Sequence, residues 1–201
     1  MSAQIEKNQT NIGLRKDVTN EFRQFFLHEL KHMYWGEKEL VNILPNISKN
    51  AFATRLMDAL KTHLKISKTH AQRLEQIFKK LGEAPDTETC QAMKGLISEA
   101  EDLVDDTQED LIRDAGIILA IQKIGHFEIA TYGTMVSFAK TMGQTEIAEL
   151  LQKTLDEEKQ TDQTLSDIAE AFVNNKAVTE GESDTGREYN GYVYQYMYGN
   201  F

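Results

Sequence analysis

Four stretches of this chain repeat apolar residues at spacings of three, four or seven, a rhythm that only a helix can place on one face. Phe22, Phe26, Leu30, Met33, Leu40 and Leu44 mark the first stretch. Leu56, Leu60, Leu74, Ile77 and Leu81 mark the second, with His63, Ser67 and His70 keeping the beat between them. The third, residues 107–142, carries Ile118, Ile121, Tyr132, Met135, Ala139 and Met142. The fourth, from Thr145 to Asn174, carries Ile147, Leu151, Leu155, Leu165, Ile168 and Phe172. Only two prolines occur in 201 residues, so little interrupts such helices.

Local signals set the expected boundaries. Asp17 or Thr19 can cap the first helix, and Pro45 is expected to end or kink it. Gly82 followed by Pro85 stops the second, and Gly143 closes the third. Residues 87–103 form a shorter helix candidate on the crossover between the second and third long helices. Short links join the first pair and the last pair. The expected fold is therefore all-α: a ferritin-like antiparallel four-helix bundle with a long crossover carrying a short fifth helix. Residues 1–16 read as an N-terminal arm, 17–174 as the bundle, 175–188 as a polar linker and 189–201 as a separate tail.

Composition narrows the function classes. A formal charge of −10 speaks against nucleic-acid binding, which needs a basic surface. The single cysteine, Cys90, excludes an internal disulfide or a zinc site of several thiolates. The opening residues MSAQIEKNQTNIGLRK lack the apolar core of a signal peptide, and no stretch approaches the ~18 apolar residues of a membrane span. A cytoplasmic protein without membrane partners is the expectation. The charge is also segregated: residues 49–80 hold eight bases and two acids, whereas residues 86–114 hold ten acids and two bases. These two segments are expected to present solvated faces opposite each other.

The informative positions keep the apolar rhythm but are polar. Glu37 falls between Met33 and Leu40, and His63, Ser67 and His70 are successive seam positions of the second helix. Glu128 lies between Ile121 and Tyr132, and Glu158, with Asp162 one turn on, lies between Leu151 and Leu165. Buried carboxylates need bases, shared protons or a metal as partners. Glu and His ligands converging from facing helices are how bundles hold iron or manganese. Glu37, His63, His70, Glu128, Glu158 and Asp162 are thus the candidate metal residues.

Several strings resemble the YciE/YciF-type ferritin-like family. They are Tyr34…Glu37-Lys38, His63-Leu64, Leu81-Gly82, Cys90-x-Ala92-Met93-x-Gly95-Leu96, Gln122-Lys123, His126, Glu128-Ile129-Ala130-x-Tyr132-Gly133 and Glu157-Glu158-Lys159-x-x-Asp162. The resemblance runs from about residue 20 to residue 170. It implies a ferritin-like bundle, a bacterial stress context, a dimer or larger assembly and a two-metal centre. Glu37, His63, Glu128, Glu158 and Asp162 match acidic or imidazole positions of the family pattern.

The departures bear on the metal. Where relatives commonly read His-Leu-Glu-Glu-Thr, this chain has His63-Leu64-Lys65-Ile66-Ser67. Where they often read Glu-His-Tyr-Glu, it has Gly125-His126-Phe127-Glu128. Two divalent cations bring four positive charges, which a thinned carboxylate set balances poorly. The expected centre is degenerate, holding one metal or none, with His63, His70 or a shared proton neutralising the remaining acids.

The C-terminal sequence YNGYVYQYMYGNF holds five of the seven tyrosines, with Tyr192, Tyr194, Tyr196 and Tyr198 in strict alternation. That period suits an extended segment docking on a neighbouring subunit or a partner protein. Two functions follow: an oligomeric assembly module that has lost part of its metal chemistry, or a di-iron or di-manganese oxidoreductase or iron-handling protein. An acidic scaffold for a basic partner is a weaker third.

Overall fold

The computed structural model describes residues 18–107 and 110–183. The N-terminal arm, the end of the expected linker and the tyrosine-rich tail lie outside the described residues. The elements are α1 (Asn20–Asn50), α2 (Thr54–Lys80), α3 (Gln91–Asp106), α4 (Asp110–Thr141), α5 (Thr145–Ile168), a π-helical turn (Ala169–Val173) and α6 (Asn174–Ser183). No helix among the described residues is long and apolar enough to cross a membrane.

The four long helices form the expected antiparallel bundle. Helices α1 and α2 pack as one pair and α4 and α5 as the other, with α2 against α5 and α1 against α4 closing the square. Cross-links show the directions: Lys80 meets Glu146 at one end of α2 and α5, Arg73 meets Thr154, and His63 faces Glu158 further along.

The termini follow from side-chain and backbone chemistry. Thr19 Oγ1 accepts from Phe22 N–H at 3.3 Å, capping α1 as its residue type predicts. Gly82 and Gly143 adopt φ of 73° and 75°, and the residue after each donates back to the last turn, Glu83 to Phe78 at 3.0 Å and Gln144 to Ala139 at 2.8 Å. Among the described residues these are the two places where a left-handed backbone requires glycine.

Three expectations are corrected. Of the two expectations for Pro45, that it ends α1 is overturned: it lies on the solvent side and the helix runs on to Asn50, with Ile47 buried and Ser48 Oγ donating to Met57 O across the turn. The expected linker, residues 175–188, is helical as far as Ser183, continuing from the π-helical turn whose Val173 is buried. The acidic α3 packs mainly on α4, and also on α1, so the basic face of α2 is not its main counterpart. Close approach explains the choice: Met93 of α3 sits against Gly36 of α1, where a Cβ would come within 3.2 Å, and Leu103 sits against Gly116 of α4.

Asp114 belongs to the acidic segment, yet it is fully buried. Its two oxygens accept the backbone N–H groups of Phe52 and Ala53 at 2.8 and 2.7 Å, tying the α1–α2 turn to α4. Burial raises its pKa against the opposing pull of those two hydrogen bonds. Asp114→Ala would orphan both donors and is expected to cost about 2–4 kcal/mol, on the order of 1–3 for each unsatisfied group after partial access by water. Urea unfolding of the variant against the parent chain measures this, and an unchanged midpoint would show that the turn is held by other contacts.

Candidate metal centre

The core consists of two apolar clusters separated by a polar layer. One contains Leu40, Leu44, Leu56, Leu60, Ile121, Ile124 and Leu165; the other contains Leu30, Met33, Leu74, Tyr132, Leu151 and Leu155. Between them α1 places Glu37, α2 places His63, Ser67 and His70, α4 places Glu128 and α5 places Glu158, all buried. Each occupies the seam position that its apolar neighbours dictate, so the helix period alone brings them together.

The layer has two unequal halves. In the first, His70 Nδ1 lies 3.1 Å from Glu37 Oε1 and its Nε2 lies 2.8 Å from Glu157 Oε2. Carboxylates only accept when ionised, so two ionised carboxylates on its nitrogens favour the doubly protonated form of the ring. Burial opposes that charge, but Glu37, Glu158 and Glu157 outweigh it and the pKa of His70 is raised. Tyr132 donates its hydroxyl to the same Glu37 oxygen at 2.7 Å. Burial, followed by the charges of Glu37 and Glu128, holds that phenol well above its ordinary pKa. Arg73 completes this half, donating to Glu157 at 2.9 and 3.0 Å and to Thr154 Oγ1 at 2.6 Å. Burial would raise the pKa of Glu157, yet its bonds to Arg73 and His70 lower it.

The second half is unsatisfied. His63, Glu128 and Glu158 each offer a ligand atom within 4.8 Å of the others. No other side chain hydrogen-bonds with the nitrogens of His63, the oxygens of Glu128 and Glu158, Ser67 Oγ or Glu37 Oε2, but the Glu128 and Glu158 carboxyls lie within hydrogen-bonding reach of each other when one is protonated. His63 Nε2 is 3.7 Å from Glu158 Oε1, and His70 Nδ1 is 3.3 Å from the same oxygen, near enough for attraction without a formed hydrogen bond. Burial first, then the charges of Glu158 and Glu37, raise the pKa of Glu128 well above the carboxylate range. So many orphaned atoms facing one point are far costlier than an apolar core, unless a cation or protons sit among them.

Of the six sequence-derived candidates, five converge here. His63, Glu128 and Glu158 form one group, and Glu37 and His70 form an ion pair beside it. Asp162 stands apart at the bundle edge, where it accepts from Gln122 at 3.1 Å and lies 3.2 Å from the exposed His126. Lys65 and Lys68 face solvent. Ile66 is only half-buried and lines a cleft of about 330 Å³ between α2 and α5, with His63 in its wall. Gly125 is buried, and a Cβ there would meet Glu158 Oε2 at 3.7 Å, so the position borders the unsatisfied group. Sequence reasoning passed over Arg73, Thr154 and Glu157; the signal for Arg73 was its place three residues after His70, on the same face.

Comparison with known proteins agrees with this architecture. Residues 21–178 match the family described as a domain of unknown function, DUF892. The chain is 37% identical to protein YciF of Escherichia coli K12 over 153 residues, 76% of this chain and 92% of that protein. The crystal structure of the E. coli stress protein YciF superposes with a TM-score of 0.74 at 34% identity, covering 78% of this chain and 99% of that one. YcfI from Rhodopseudomonas palustris gives a TM-score of 0.71 at 32% identity, covering 75% and 96%.

Tyr132→Phe tests the first half of the layer without creating a cavity. It removes one of the two donors on Glu37 Oε1 and is expected to cost about 1–3 kcal/mol in chemical unfolding. A variant as stable as the parent would mean that the hydroxyl contributes nothing to holding Glu37.

Proposed function

We propose that this chain, which belongs to the YciF-type family (DUF892), carries a single divalent metal where the resemblance implied two, and serves chiefly as an assembly module. The observation that carries the metal reading is the set of orphaned ligand atoms on His63, Glu128 and Glu158. One imidazole and two carboxylates from three helices suit iron or manganese. Two carboxylate charges balance one divalent cation. Glu37 is already compensated by the His70 imidazolium and Tyr132, so no second cation is called for.

A bound iron or manganese would supply redox or Lewis-acid chemistry at that point. The protein's own part is to hold the ligands from rigid helices, keep water out with apolar clusters on both sides, and fix Glu37 away from the group through His70. The cleft beside His63 is the approach for a small molecule. Ile66 and Gly125 remove the carboxylates that the family pattern has at those places, which supports one metal over two.

Elemental analysis of the purified full chain is expected to find one iron or manganese per chain, lost in His63→Ala. The double variant Ile66→Glu with Gly125→Glu is expected to take up a second. Two metals in the parent chain, or a parent stoichiometry untouched by His63→Ala, would contradict the reading.

The assembly role rests on the alternating Tyr192, Tyr194, Tyr196 and Tyr198. A period of two is the spacing that an extended segment would need to put its aromatic side chains on one edge, and such an edge would suit docking on a second copy. A stress-related role is in keeping with the relative described as a stress protein. Deleting residues 189–201 is expected to lower the mass found by light scattering, and an unchanged mass would count against the tail as the assembly element.

A further inference from the structure

A second cluster of metal-ligating side chains lies outside the bundle centre, on the outer face of α1. His28 and His32 are one helical turn apart and therefore share a face. Their rings lie with centroids 4.1 Å apart. Glu29 joins them, its Oε1 3.8 Å from His32 Nδ1, and the three residues offer ligand atoms that all lie within 4.8 Å of one another. All three are half-buried, so the rings are partly fixed yet reachable.

The second observation comes from another segment. Glu88, on the linker between α2 and α3, lies 3.0 Å from His28 Nδ1. A carboxylate on one ring nitrogen fixes the tautomer and leaves the other nitrogen free to act as a ligand, the arrangement found behind metal-bound imidazoles. The linker is held in register at this point: Glu88 N–H donates to Lys31 O at 3.4 Å, and Lys31 Nζ donates to Asp86 at 2.7 Å.

We propose that His28, Glu29 and His32 bind one divalent cation of the zinc, copper or nickel class, with Glu88 orienting His28. Two imidazoles and one carboxylate are a known zinc donor set, and among divalent ions nitrogen-rich sites bind nickel, copper and zinc more tightly than iron or manganese. Two carboxylates, Glu29 and Glu88, balance the charge of one such ion. Its occupation fastens the crossover linker to α1, because the oriented histidine and the orienting carboxylate come from different segments. The site is independent of the central one.

The test is a zinc titration of the full chain, followed by NMR of the histidine rings and by hydrogen exchange of residues 84–90. The His28 and His32 resonances are expected to shift together on zinc addition, and exchange in the linker to slow. Glu88→Gln is expected to weaken zinc affinity by about 10–100-fold, the usual effect of removing the group behind a ligating histidine. The double variant His28→Ala with His32→Ala is expected to abolish both signals while iron or manganese uptake at the centre is unchanged. These side chains are partly exposed, so the variants keep the fold. Unmoved His28 and His32 resonances at about 1 mM zinc, weaker than any useful affinity, or a zinc affinity unchanged in the double variant, would overturn the proposal.

Discussion

One buried imidazole decides what else the centre of this bundle can contain. His70 is fully buried, yet both of its nitrogens face carboxylates, Glu37 on α1 and Glu157 on α5. These carboxylates favour its protonated form, a cation that spans the two helices. Removing one partner from such a buried pair is costly, on the order of 3–5 kcal/mol, because the other charge is left without compensation. Tyr132 and Arg73 extend the same network to α4 and to Thr154, so all four long helices are tied at one level. With Glu37 committed to His70, the open ligands of the layer are those of His63, Glu128 and Glu158.

The division of labour between apolar and polar residues follows from this layer. Above and below it the helices pack through ordinary apolar clusters, which supply most of the driving force for folding. The layer itself adds specificity: a register slip of any helix would move Glu37, Glu128 or Glu158 away from its partners and into hydrocarbon. A di-metal centre performs the same tying with cations. Here a histidine, His70, carries out part of that tying between α1 and α5.

Much of this was legible in the sequence, and the reason is the simplicity of the helical period. Glu37, His63, Ser67, His70, Glu128 and Glu158 interrupt an apolar rhythm without breaking it, so their burial could be read directly. Glu157 could not be read so, because it sits beside the seam and is only partly buried; Arg73 keeps the spacing of the seam from His70, but its residue type is one usually found at the surface. Asp114 was hidden among surface acids; nothing in its neighbours announces that two backbone N–H groups of a distant turn need it. The docking of α3 depended on the small surface at Gly36 and Gly116, which charge segregation between α2 and α3 did not reveal. Asp162 kept the helical spacing by only one turn, and that turn carried it to the bundle edge.

The central claim is that the polar layer holds one cation and one imidazolium in place of two cations. An anomalous difference map from crystals of the full chain loaded with manganese tests it most directly. The account predicts one peak among His63, Glu128 and Glu158, and none between Glu37 and His70. A second peak beside Glu37, with the His70 ring turned away from it, or the absence of any peak in the layer, would contradict it.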